Sequence, residues 1–435
     1  MSGNNINNRK AITALLEQSK AGLEAEREHE RKHFQEWVLR MPLAERKKAG
    51  YSWYPLDIQR KGYTIGGRAF VIFTRINNIG EPHKFRSGNT VRLFTQYASA
   101  NKAEMNGVIH FVEKNKMKVI LSSKDHPDWI DKGMCGVDLG FEERSYVEMA
   151  KAHNKVAQAE KDRIAELRDI LLGFKTEEKH PIASIPNIKL NPSQNQALNH
   201  LNSNHLVSII HGPPGTGKTT TIVEAVRELS KRMNNILLCA PSNTAVDLLT
   251  ERLAAAGIHV LRIGNISRVS ESLLYHTLEA KLGTHPEAKT LKKIRKDAAE
   301  ARRKAKKYKR NFDRDAYLER KDLFREAAEL ETWAHQLEQR LIDQIISSAQ
   351  VICATLVGAS DRVLENIKFP MCIIDEAAQA LMPSCWIPIS RSAKVALVGD
   401  PQQLPPTIKS DQARKHRFER TLLEYALQYN HTASL

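Results

Sequence analysis

Gly212, Pro213, Pro214, Gly215, Thr216, Gly217, Lys218 and Thr219 fit the spacing G-x-x-x-x-G-K-[ST], with Thr220 following. Glycines at those positions let successive backbone N–H groups turn inward on an anion, and a helix starting at the lysine would aim its positive dipole end at the same point. Lys218 is then placed for the β- and γ-phosphates of a nucleoside triphosphate, and Thr219 for Mg²⁺. A second set of side chains suits the same chemistry. Cys372-Ile373-Ile374-Asp375-Glu376 sets two carboxylates at the end of an apolar run. Asp375 is assigned to the metal and Glu376 to the general base that orients and deprotonates water. Alone, a strand-end aspartate would read as a helix cap; the glycine-rich loop upstream tips the balance to chemistry.

Gln403 follows another apolar run, Val398-Gly399-Asp400-Pro401-Gln402-Gln403, and a neutral amide there suits sensing of a γ-phosphate. Gln194 is open to two readings. In Asn191-Pro192-Ser193-Gln194 it is the third residue of a helix start with a capping box, or its amide, donor and acceptor together, reads an adenine edge.

These residues need a scaffold, and the chain after residue 190 supplies its pattern. Short apolar runs at 206–210, 235–240, 259–264, 351–355, 371–375 and 394–400, each bounded by Gly, Pro or Asp and leading into a loop or helix, predict a buried parallel sheet of an α/β protein. Ligands bind at the carboxyl ends of such strands. Upstream, 8–40 and 142–172 carry helical periodicity. Between them, runs at 68–76, 89–96 and 106–123, the last a hairpin turning near 114–116, predict a small antiparallel barrel. Residues 173–189 read as a linker.

Composition narrows the partners. The chain has 435 residues, 41% hydrophobic and 27% charged, which is enough for several globular domains. No run is long and apolar enough for a membrane helix, and the first twenty residues lack the apolar core of a secretion signal, so the expectation is a cytoplasmic protein that does not meet a membrane. Five cysteines without C-x-x-C spacing predict reduced, mostly buried thiols. The formal charge is +16, and residues 281–325 hold seventeen Lys/Arg against seven Asp/Glu. Without consistent i, i+4 ion pairing, that block favours phosphate contact that weakens with salt.

The ordered set of motifs, with Ala240-Pro241-Ser242-Asn243-Thr244-Ala245-Val246-Asp247, Ala354-Thr355-Leu356-Val357-Gly358-Ala359 and Asp375-Glu376-Ala377-Ala378-Gln379-Ala380 between the elements above, resembles superfamily 1 helicases, especially the 5′→3′ group that includes the nonsense-decay and immunoglobulin-mu-binding helicases. The resemblance implies a first stalk helix over 1–48, a small β-barrel over 49–141, and a second stalk helix and linker over 142–189. It further implies a RecA-like ATP-binding domain over 190–264 and 346–435, interrupted by a basic helical insertion over 265–345. It implies that Gln194 contacts adenine, that Gln403 senses the γ-phosphate, and that Ser242, Asn243, Thr244, Thr355 and Val357 line a track for single-stranded DNA or RNA. ATP and Mg²⁺ are the implied cofactors. Members have a second RecA-like domain that completes the ATP site, and the sequence ends about where it should start, so that domain is expected in cis or in trans. The alternative is an ATP-gated single-strand-binding module without motor activity; a complete set of Lys218, Thr219, Asp375 and Glu376 argues against it, since binding alone has no need of a general base.

Overall fold

The computed structural model describes residues 2–64, 68–77, 79–96, 104–123, 125–177, 187–264, 269–306, 314–430 and 432–435. Helix α1 (Ser2–Phe34) runs into a π-helical stretch at Gln35–Arg40 and stops where Met41 turns extended, since a residue preceding proline, here Pro42, is pushed out of the helical region. After α2 (Leu43–Lys48), six strands close an antiparallel barrel: β1 (Ser52–Tyr63), β2 (Ala69–Arg75), β3 (Thr90–Thr95), β4 (Glu104–Val112), β5 (Lys116–Leu121) and β6 (Cys135–Leu139), in the order β1-β2-β5-β4-β3-β6. Alternate side chains such as Val71, Phe73, Val91, Leu93, Met117 and Val119 fill its interior.

Strands β1 and β6 carry no clear strand signal in the sequence. Pro55 and a run of charges interrupt β1, and β6 contains Gly136 and Asp138. Asp138 is fully buried, and what makes it tolerable is distant in sequence: Arg46 and Arg92 each reach Oδ2 at 3.0 Å. The helical pattern over 142–172 resolves into two helices, α3 (Glu143–Gln158) and α4 (Arg163–Leu171), because Asp162 accepts from the Ala165 N–H at 2.9 Å and starts a new helix. The first helix, with helical periodicity over 8–40, is exposed or half-buried outside one stripe. The structure buries its apolar stripe of Ile12, Leu16 and Leu23 with Tyr146, Met149 and Val156 of α3. Most of the predicted linker, residues 178–186, lies outside the described residues.

The second half is a seven-stranded sheet, built on α5 (Pro192–Leu201), β7 (Val207–His211), α6 (Lys218–Leu229), β8 (Ile236–Ala240), α7 (Asn243–Ala255) and β9 (Val260–Arg262). It continues after α8 (Leu278–Thr284), α9 (Ala288–Lys306) and α10 (Arg314–Ser348) with β10 (Val351–Thr355), β11 (Cys372–Ile374), α11 (Met382–Ile389), β12 (Val395–Gly399), α12 (Asp411–Lys415), α13 (Leu422–Leu427) and β13 (Thr432–Ser434). The order is β13-β7-β12-β11-β8-β10-β9 and every pairing is parallel. Period-2 alternation divides the strands between two cores. Ile209, Leu237, Cys239, Ile374 and Leu397 face the layer of α3, α4 and α11, while Ile210, Leu238, Ala240, Ile373 and Val398 face α5, α6 and α7. All five cysteines are free and buried, and burial pushes the Cys353 and Cys385 thiols up to about 12.

Helices α9 and α10 form an antiparallel hairpin that seals Leu291, Ile294, Ala298 and Ala301 against α10. Its ion pairs run both across the hairpin, with Arg295 on Glu338 at 2.6 Å and Arg302 on Glu331 at 2.8 Å, and along single helices, with Lys304 on Glu300 at 3.1 Å and Arg325 on Asp322 at 3.0 Å. Lys289, Lys292, Lys293, Lys296 and Arg303 form no ion pair among the described residues and lie exposed on the side of α9 away from α10. No helix among the described residues is long and apolar enough to cross a membrane.

Candidate nucleotide-binding site

Parallel pairing places the ends of β7, β12 and β11 side by side, with Gly399 opposite His211 and Leu397 opposite Ile374. The glycine-rich loop leaves β7, Asp400 and Gln403 leave β12, and Asp375 and Glu376 leave β11. The three candidate groups therefore share one sheet edge. Gly215 and Gly217 have φ of +82° and +87°, the left-handed region where a side chain is strained. At Gly217 a Cβ would also stand 2.4 Å from the Gln194 amide nitrogen.

Lys218 begins α6 and is 8% exposed; its Nζ donates to the carbonyls of Gly212 at 2.7 Å and Pro213 at 3.1 Å. The ammonium is thus buried, oriented by the loop's own backbone, and has three protons for two carbonyls. Thr219 is half-buried and Thr220 exposed in the first turn of α6, where N–H groups lack intrahelical partners. Pro213 and Pro214 are exposed, and Thr216 turns its hydroxyl back to the Pro213 carbonyl at 2.9 Å.

Asp375 is buried, and its Oδ1 accepts from the Glu376 N–H at 3.0 Å. Burial first, and then the neighbouring Glu376 charge, push its carboxyl up to about 7, against the opposing pull of Lys218. A carboxyl held so far from water is costly to ionise unless a cation arrives, which suits an ion carried in by phosphate. Mg²⁺ keeps several waters and takes one or two carboxylates plus phosphate oxygens, and Asp375 with the Thr219 hydroxyl fits that demand. Glu376 sits at φ +55°, uncommon for a residue with a side chain, and this kink turns the chain at the strand end.

One residue of this edge carries no role in the sequence reading. The Gln379 Nε2 lies 3.4 Å from Glu376 Oε2 and 3.5 Å from Gln403 Oε1, long contacts that bring the two predicted groups onto one amide. Its place in Asp375-Glu376-Ala377-Ala378-Gln379 was visible, but nothing in the sequence brings residue 403 to it.

Gln194 is a capping residue in fact: Asn191 accepts its N–H at 2.8 Å, and its Oε1 accepts from the Asn191 N–H at 3.1 Å. Its Nε2 also donates to the Thr216 carbonyl at 2.9 Å, tying α5 to the glycine-rich loop. The second N–H of that amide makes no hydrogen bond among the described residues. Of the strand-track candidates, Ser242 caps α7 by accepting from Ala245 N–H at 3.1 Å and remains exposed beside exposed Thr244. Asn243 is half-buried and accepts from Arg262 at 3.0 Å. The Thr355 hydroxyl accepts from the Gly358 N–H at 2.9 Å, and Val357 is half-buried in the core's edge. These residues end β10 and follow β8, which are neighbours, so both groups lie at the same carboxyl edge as the loop, on its other half.

Comparison with known proteins adds to this geometry. The family model described as AAA domain matches residues 189–411. DNA-binding protein SMUBP-2 of Rattus norvegicus is 32% identical over 440 residues, covering 95% of this chain and 42% of the rat protein. DNA polymerase alpha-associated DNA helicase A of Schizosaccharomyces pombe is 30% identical over 406 residues, covering 88% of this chain and 60% of the yeast protein. ATP-dependent helicase NAM7 of Saccharomyces cerevisiae is 38% identical over 256 residues, covering 57% of this chain and 24% of that protein. The chain spans less than half the length of the rat relative.

Proposed function

The chain belongs to the AAA-domain family whose model covers residues 189–411, among the superfamily 1 helicases, and from that membership we propose that it binds ATP and single-stranded DNA or RNA as the first RecA-like lobe of a helicase. The observation that carries the reading is the meeting of a buried Lys218, the Asp375-Glu376 pair and Gln403 at the ends of three adjacent strands. Hydrolysis is coupled to movement along a strand when a second RecA-like domain, in cis or in trans, closes on this edge. On this reading α1 and α3 are the stalks of the barrel, and the protein works in the cytoplasm.

Roles follow from chemistry. The loop N–H groups and Lys218 bind the β- and γ-phosphates, while Gln194 uses its free amide proton on adenine. Bound Mg²⁺, held through Asp375 and Thr219, would offset negative charge that develops on the phosphates. Glu376 accepts the proton of the attacking water and Gln403 donates to a γ-phosphate oxygen. Ser242, Asn243, Thr244, Thr355 and Val357 line the path of the strand, where hydroxyls and backbone follow a phosphodiester without demanding base readout. The free cations of α9 add contacts of the screened, salt-sensitive kind.

The test is ATP hydrolysis by the chain with and without single-stranded DNA or RNA, at low and high salt, beside Lys218→Ala. Strand-stimulated turnover that depends on Lys218 is expected from a lobe that completes its site with a second copy. Nucleotide and strand binding without turnover is expected from a lobe that waits for its partner domain. Absence of both ATP and strand binding would refute the reading.

A further inference from the structure

An arginine at the edge of the sheet has no part in the roles above. Arg262 ends β9 and is 1% exposed. Its Nε donates to Asp247 Oδ1 at 3.0 Å, Nη2 donates to Asn243 Oδ1 at 3.0 Å, and Nη1 donates to the Ile263 carbonyl at 2.6 Å. Asn243 and Asp247 are four residues apart in α7, so one guanidinium grips both ends of the helix's first turn from a single face. The second Asp247 oxygen accepts from the Ser270 N–H at 2.9 Å, on the way into the helical insertion. Gly264 leaves space for this arrangement, since a Cβ there would stand 3.1 Å from Nη1. A buried guanidinium is tolerated when its donors are met, and here each of its three nitrogens has a partner.

We propose that Arg262 is a positioning residue for the strand track. It holds the Asn243 oxygen inside the protein and so fixes the first turn of α7, leaving Ser242 and Thr244, exposed on either side, to present hydroxyls and backbone to a phosphodiester strand. The inference rests on the reading of Ser242 to Thr244 as track. Asn243 then serves as the handle by which the turn is held, and its Oδ1 is not a strand contact. Because Arg262 touches no phosphate, its loss weakens strand binding without removing a counterion-releasing contact.

The test uses the full chain and the double variant Arg262→Met/Asp247→Leu, which exchanges the ion pair for apolar groups of similar bulk, a replacement folds commonly accept. Affinity for a single-stranded oligonucleotide is measured by fluorescence anisotropy across a salt series, beside thermal melting and ATP affinity. Melting and ATP affinity near those of the parent, strand affinity lower by about tenfold, and an unchanged slope of log affinity against log salt are expected. Parent-like strand affinity overturns the proposal. So does a slope shallower by about 0.7, the signature of one lost phosphate contact on a single strand. If the double variant does not fold, Asn243→Ala and Asn243→Asp replace it, compared at high salt where the added charge is screened. Loss with alanine and recovery with aspartate, which keeps an oxygen for Arg262, is expected; equal loss in both overturns the role. A parent that binds no strand refutes the nucleic-acid reading itself, whereas a parent that binds beside an unaffected double variant sinks this inference alone.

Discussion

Lys218 and Lys292 are both helical lysines in regions proposed to meet phosphate, and their surroundings assign them different physics. Lys218 is almost wholly buried, held by two loop carbonyls, and sits where N–H groups converge. Lys292 shares the outer face of α9 with Lys289, Lys293 and Lys296, exposed and without ion pairs among the described residues. A buried, oriented cation interacts strongly and only with a group of the right shape; an exposed row attracts any polyanion and is screened within a Debye length of about 8 Å at physiological salt. Geometry governs the first region and charge density the second. On the proposed function, nucleotide chemistry belongs on the sheet edge, and adhesion to a strand is the most that the hairpin's cations would supply.

The comparison breaks most readily at Lys218. Lys218→Ala is expected to abolish detectable ATP turnover and ATP binding, measured by phosphate release and by nucleotide titration, with strand binding at low salt largely kept. Glu376→Gln sharpens the same point, since it should bind ATP like the parent while turnover falls by about 100-fold or more, the range for a lost general base. Equal turnover by Glu376→Gln and the parent would remove Glu376 from that role.

On the hairpin, reversing Lys292, Lys293 and Lys296 to Glu is expected to weaken oligonucleotide affinity by more than about tenfold at low salt and to make the log–log salt slope shallower by about 2. ATP affinity should not move. A loss that persists unchanged at high salt would mean that these lysines act by shape, and the contrast with Lys218 would collapse.

A smaller effect concerns stability. The Asp375 carboxyl, raised to about 7 by burial, binds more protons in the folded chain than in the unfolded one between about pH 4 and 7. Stability from this group is present at low pH and declines as pH rises through that window. Nucleotide-free Asp375→Asn, which cannot ionise, is therefore expected to melt a few degrees above the parent at pH 8 and together with it near pH 4, although it should lose hydrolysis. Calorimetry at the two pH values checks the sign. Smallest of all is Gln379→Ala, expected to lower turnover about fivefold, the worth of one ordinary hydrogen bond of about 1 kcal/mol, without changing ATP affinity.

Much of the sheet edge was legible from residue types alone, because a phosphate loop needs its glycines, lysine and hydroxyl within eight consecutive positions. The strands around it were legible for the same local reason: a strand buried on both faces is an unbroken apolar run. What failed was whatever depends on a partner far along the chain. Strand β6 tolerates Asp138 only because Arg46 and Arg92 reach it. Strand β13 is three small or polar residues that become a strand only by pairing with β7. Both readings of Gln194 had local grounds, and the structure makes its capping box while also turning its amide to the loop carbonyl of Thr216.

By itself, then, the sequence determined which residues stand at the strand ends and the apolar runs that make the sheet, since both are written within short windows. Tertiary structure decided that Gln379 stands between Glu376 and Gln403, and that Arg262 reaches Asn243 and Asp247 across two elements. A side chain's spacing along its own element is fixed by helix and strand geometry, but which distant donor finds which acceptor is fixed only when the strands take their order in the sheet.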